Sequence, residues 1–63
     1  MEPEAKAIET AFQAQLVNLW AKLFDAFSTS NGNEHAELAA SERFRAGVIL
    51  ARRVRDLALK QLG

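Results

Sequence analysis

A single polar interruption divides this chain. Residues 3–27 contain no glycine and only the opening proline, and the first convincing break is the polar segment 28–33. Asn31 and Gly32 tolerate the left-handed backbone that ends a helix, and Asn33 is a favourable N-cap for a helix that follows. The sequence therefore predicts two helices joined by one turn.

The helix bounds follow from the end signals. Pro3 suits the first turn of a helix, and Lys60 followed by a terminal glycine suits a helix end. The expected arrangement is a helix over about 3–28, a turn over about 29–33 and a helix over about 34–62, in one domain covering 1–63. Ser41 is a second candidate N-cap, so the alternative is a short helix over about 33–40 kinked against a longer one over about 42–62.

The small size of the chain predicts self-association. A domain of 63 residues buries only about 60% of the surface that its unfolded chain exposes. There is no cysteine to supply a disulfide or a thiolate metal site. Because the core is small, we expect a homo-oligomer, with a dimer favoured. The acidic N-terminus resembles no targeting signal and no apolar run is long enough to span a bilayer, so we expect a cytoplasmic location.

Apolar residues form two parallel seams on each expected helix. One seam of the first helix contains Phe12, Leu16, Leu19, Leu23 and Ala26, and one seam of the second contains Phe44, Val48, Ala51, Ala58 and Leu62. The other seams are surplus to a single hairpin, and the one on the second helix begins with Gly47. We expect their larger residues to form the self-association or partner seam, which consists of Val17, Trp20, Phe24, Phe27, Leu50, Val54 and Leu57.

These patterns define the expected fold. It is all-α, an antiparallel two-helix hairpin that dimerises into a four-helix bundle. A turn at Asn31-Gly32 would place Leu16 near Gly47 and Phe12 near Ala51, so that bulky side chains meet small ones. A hairpin that uses its second seam on a different protein would have the same pattern, and the sequence leaves both alternatives open.

Basic residues concentrate in the second half. Residues 43–63 contain six basic side chains and one acidic one, although the whole chain has a net charge of zero. Four of them form a basic stripe on one helix face that could contact nucleic-acid phosphates: Arg45, Arg52, Arg53 and Lys60. The alternative is a ladder of intrahelical ion pairs centred on Asp56, which needs no ligand. Arg55 falls inside the apolar arc, and we expect it to snorkel or to pair with an acidic group of a neighbouring helix.

Candidate catalytic or metal-ligating residues are sparse. His35 has no further ligand at the spacing that a metal site needs, and no serine or threonine has a base positioned beside it. We therefore expect no enzyme activity, metal or cofactor. The expected function is that of a helical protein that self-associates and binds a protein partner as an adaptor, regulator or inhibitor. The alternative is a dimeric nucleic-acid-binding regulator, and membrane-surface binding ranks third.

Overall fold

The computed structural model describes residues 2–63 and is all-helical. Helix α1 spans Pro3–Ser30, helix α2 spans Glu34–Leu62, and the two pack against each other as an antiparallel hairpin. Met1, the first residue of the expected 1–63 domain, lies outside the described residues. The predicted all-α hairpin is confirmed.

The turn has the backbone that its residues favour. Asn31 and Gly32 both adopt left-handed conformations, with φ of 53° and 78°. Asn33 caps α2, since its Oδ1 accepts a hydrogen bond of 3.0 Å from the backbone N–H of Ala36. The predicted helix stop and N-cap are both confirmed, and Pro3 stands in the first turn of α1.

Helix α1 continues two residues beyond its expected end, and three hydroxyls near that end bond back to the helix backbone. Ser28 Oγ donates to the carbonyl of Phe24 at 2.9 Å, and Ser30 Oγ donates to that of Phe27 at 2.9 Å. Thr29 Oγ1 lies 3.2 Å from two carbonyls one turn back. Serine and threonine often occur in turns, but the hydroxyls of these three residues form their hydrogen bonds within α1.

The contacts between the helices refine the expected register. Gly47 faces Leu19, where the sequence predicted Leu16. The guanidinium of Arg55 lies over Phe12, and Ala51, the predicted neighbour of Phe12, lines the same groove. The closest contact of Gly47 is therefore one helical turn nearer to the turn end of α1 than expected.

Helix α2 runs without interruption through Ser41, so the alternative with a kink at that residue is not what forms. Its first turn carries Glu34 and Glu37 and its last turn carries Lys60, which complement the two ends of the helix dipole. The backbone N–H of Gly63 closes the helix on the carbonyl of Lys60 at 3.3 Å. Neither α1 nor α2 is long and apolar enough to cross a bilayer.

The hairpin is a single layer of two helices. Its Cα atoms extend over 46 × 15 × 10 Å, and their radius of gyration is 14.7 Å, whereas a compact domain of this length would have about 11 Å. Among residues 2–63 only Ala40 is buried, at 4% exposure. A layer with one buried residue leaves most apolar side chains at least partly in contact with solvent.

Candidate interaction surfaces

All seven residues of the expected self-association or partner seam are exposed on the hairpin. Their exposed fractions range from 39% for Phe27 to 66% for Val17. Three further large apolar side chains are exposed outside that seam: Leu38, Ile49 and Leu62. The hairpin therefore leaves the predicted residues open to contact, but it does not bring them together in one continuous surface.

Leu50 and Val54 belong to a groove between the two helices. The groove has a volume of about 470 Å³ and is lined almost entirely by apolar atoms. Its walls are Ile8, Ala11, Phe12, Gln15 and Leu19 of α1, and Gly47, Leu50, Ala51, Val54, Arg55 and Ala58 of α2. Concave apolar surfaces of this size are typical binding sites for side chains or small ligands.

The aromatic strip, which consists of Val17, Trp20, Phe24 and Phe27, lies on the other side of α1. Trp20 is nine residues from Ala11 and Phe24 is nine from Gln15, and nine residues are about two and a half helical turns. The rings of Trp20 and Phe24 stack with their centroids 5.3 Å apart. The hairpin thus has two separate apolar surfaces that face in opposite directions.

The remaining residue of the expected seam, Leu57, lies beyond the groove. It lines a shallow depression on α2 together with Arg53, Asp56 and Lys60. Its exposed fraction is 55%. Leu57 therefore borders both the groove edge formed by Val54 and one end of the basic stripe.

Sequence reasoning missed the α1 wall of the groove. Ala11 and Gln15 were in no predicted seam, because one is small and the other is polar. The available signal was a set of small residues on the two helices, Ala11 on α1 and Ala51 and Ala58 on α2. Small side chains on both walls are what keep the space between the helices open.

Arg55 contacts three groups at the interface between the helices. Its guanidinium carbon lies 4.4 Å from the centroid of the Phe12 ring, and its Nε donates to Asp56 Oδ1 at 3.0 Å. Its Nη1 lies 3.9 Å from Glu9 Oε1 on the other helix. The expectation that Arg55 pairs with an acidic group of the neighbouring helix is confirmed.

The basic stripe is exposed and makes no ion pair within residues 2–63. Ion pairs within 4.0 Å in that part of the chain involve Arg55 alone. The expected ladder from Arg52 through Asp56 to Lys60 does not form, because the Asp56 carboxylate turns to the adjacent Arg55. The four basic side chains of the stripe therefore carry charge that no acidic side chain contacts directly.

His35 is exposed in the first turn of α2. Within residues 2–63 no three side chains of histidine, cysteine, aspartate or glutamate come close enough together to hold a metal ion. The serine and threonine hydroxyls at the end of α1 are engaged with backbone carbonyls. The described residues that stand out chemically are therefore the apolar surfaces and the basic stripe.

Comparisons with known proteins do not extend this description. No protein-family model, no curated protein and no solved structure matches the chain.

Proposed function

We propose that this chain is a non-enzymatic interaction protein that self-associates through one apolar surface and binds a protein partner through the other. The main support is that the single-layer hairpin exposes apolar surfaces in two opposite directions, the groove on one side and the aromatic strip on the other. Stable domains bury such faces against a second layer of secondary structure. A dimer that stacks two hairpins supplies that layer as a four-helix bundle.

The accessible area of the hairpin supports self-association. It exposes 5051 Å², whereas a compact monomer of 7.0 kDa would expose about 4000 Å². A standard protein interface buries about 800 Å² on each partner. The excess area is therefore about what one subunit of a stable dimer covers.

The solution mass tests self-association directly. Light scattering on a sizing column, from low micromolar concentrations upward, is expected to give twice the chain mass of 7.0 kDa. Circular dichroism of the same samples should show a helical protein. A helical species that keeps the mass of one chain at every concentration would contradict the proposal.

The aromatic strip supports the partner-binding part of the function. Its four side chains follow one another at spacings of three, four and three residues, which is the pattern with which a helix enters an apolar groove of another protein. Trp20, at the centre of the strip, is of a residue type that is enriched among those dominating binding energy at interfaces. The proposed role is that of an adaptor, regulator or inhibitor that presents α1 to its partner.

Substitution within the strip tests that role. Trp20→Ala is expected to abolish a partner complex that wild type forms, while the mass and helicity of the free protein stay unchanged. The matched control is Ile49→Ala, which shortens an exposed apolar side chain of α2 outside both surfaces. Loss of the complex in both variants, or in neither, would contradict the role of the strip.

Nucleic-acid binding is a second candidate function, and the charge of the basic stripe favours it. A dimer would present Arg45, Arg52, Arg53 and Lys60 twice, and arginines without an acidic partner are available to phosphates.

Fluorescence anisotropy with labelled mixed-sequence duplexes at several salt concentrations tests nucleic-acid binding. Removing Arg52 and Arg53 should lower the affinity and flatten its salt dependence, whereas Arg43→Ala, an exposed arginine outside the stripe, should change both less. Equal binding by all variants would eliminate the candidate.

A further inference from the structure

We infer that the occupant of the groove is a second copy of this chain, docked groove to groove about a twofold axis, and that the aromatic strip stays exposed on the outside of the dimer. The inference rests on the proposed self-association and assigns it to one of the two apolar surfaces. It separates the residues of the expected seam, because Leu50 and Val54 enter the subunit interface while Trp20 and Phe24 do not.

The shape of the groove favours a second copy. A twofold interface uses the same patch on both subunits, so that patch must carry both the projections and the spaces that receive them. The groove has both. Leu50 and Val54 are exposed projections at 58% and 57%, while the short side chains of Ala11, Ala51 and Ala58 line the space beside them. The projections of one copy can therefore fill the spaces of the other.

Both helices contribute to the groove, which a four-helix bundle requires. A hairpin that docks through the groove places the two helices of its partner over α1 and α2 together. The aromatic strip, in contrast, is carried by α1 alone. A ridge on one helix suits insertion into a groove of a different protein better than contact with an identical ridge.

The charged group in the groove wall is already partnered. Arg55 contacts Asp56 at 3.0 Å, Glu9 at 3.9 Å and the Phe12 ring within the hairpin. Covering the groove therefore does not leave an isolated charge in the interface, which would oppose association. The other polar side chain of the wall, Gln15, can form hydrogen bonds with its counterpart or with water at the interface edge.

A matched pair of valine substitutions tests the assignment. Val54 in the groove and Val17 in the aromatic strip are both exposed on the hairpin, at 57% and 66%, and each is changed to glutamate. Val54→Glu is expected to halve the mass measured by light scattering at micromolar concentrations. Val17→Glu is expected to keep the mass of the dimer, because its carboxylate remains in solvent.

Trp20 provides a second readout that needs no substitution. It is the single tryptophan, and 57% of it is exposed on the hairpin. When wild type is diluted through the range in which its mass falls to that of one chain, the tryptophan emission maximum and its quenching by acrylamide should stay constant. A blue shift and reduced quenching in the dimer would place the aromatic strip in the interface and overturn the inference.

Three other results of the mass measurements would each contradict the inference in a different way. If wild type is a helical monomer throughout, the proposed self-association fails and the groove assignment fails with it. If wild type dimerises but Val17→Glu alone halves the mass, self-association stands and the groove assignment is wrong. If both variants lose the dimer, the strip of one copy docks into the groove of the next. That head-to-tail arrangement also overturns the twofold assignment.

Discussion

Leu19 occupies the space that a side chain would take at Gly47. A Cβ atom built on Gly47 would lie 2.5 Å from Leu19 Cδ2, closer than real Cβ contacts come. The glycine is therefore a packing residue, since it lowers the local helix propensity of α2 but lets a leucine of α1 approach the backbone. The contact also sets the register between the two helices.

Gly47→Leu is expected to lower the free energy of unfolding by about 1–3 kcal/mol, because the added side chain must displace Leu19 even though leucine is the better helix former. Urea denaturation followed by circular dichroism measures the change. Combining the substitution with Leu19→Ala should recover part of the loss, as expected for two residues that compete for one space. A stability equal to or above wild type in the single variant would mean that the contact is not constrained.

Gly32→Ala is expected to destabilise the hairpin by about 1–2 kcal/mol, because its φ of 78° is left-handed and alanine pays a conformational cost there. No atom lies within 4 Å of the added Cβ, so the effect isolates backbone conformation from packing. Asn31→Gly is the opposite change at the neighbouring left-handed position and should be neutral or mildly stabilising. Equal effects of the two changes in thermal denaturation would contradict this account of the turn.

Asn33→Ala is expected to cost about 1 kcal/mol, because the first turn of α2 loses the side-chain acceptor that now receives the Ala36 N–H at 3.0 Å. Asn33→Asp keeps an acceptor and adds a negative charge at the positive end of the helix dipole, so it should match wild type. Urea midpoints of the two variants compare these effects. A similar loss in both would show that the cap contributes little.

Arg55→Ala is expected to destabilise the protein more than Glu9→Gln. The arginine loses its contact with the Phe12 ring and its bond to Asp56, which together are worth about 1 kcal/mol. The glutamate loses a pairing at 3.9 Å between partly exposed groups, which is worth less than about 0.5 kcal/mol and weakens with added salt. Thermal denaturation at low and high salt checks the order, and a larger effect of Glu9→Gln would reverse the roles assigned here.

Much of the fold follows from local signals in the sequence. The left-handed stop at Asn31-Gly32, the cap at Asn33 and the start at Pro3 each depend on the chemistry of a few neighbouring residues, and each is observed. The end of α1 differs by two residues because serine and threonine hydroxyls can satisfy either a turn or a helix. That choice depends on the neighbouring packing, which local patterns do not contain.

The relation between the two apolar surfaces could not be read from either helix alone. Periodicity shows how wide an apolar arc is, but the way two antiparallel helices rotate against each other decides which edge of each arc stays outside. In the hairpin, Leu50 stays outside on the same side as Gln15, whereas Trp20 stays outside on the opposite side of α1. Assigning these residues to two separate surfaces therefore needed the packing of the two helices, which includes the contact between Leu19 and Gly47.

The shallow burial of the hairpin also changes what substitutions in this protein report. In most domains, a scan of amino-acid replacements mainly maps the interior, because core positions tolerate the fewest changes. Here only Ala40 of residues 2–63 is shielded from solvent within one chain. Intolerance to replacement at exposed positions, away from the turn, the N-cap and the contacts between the helices, would outline the footprint of other molecules, so a complete mutational scan of this chain would help to locate its interfaces.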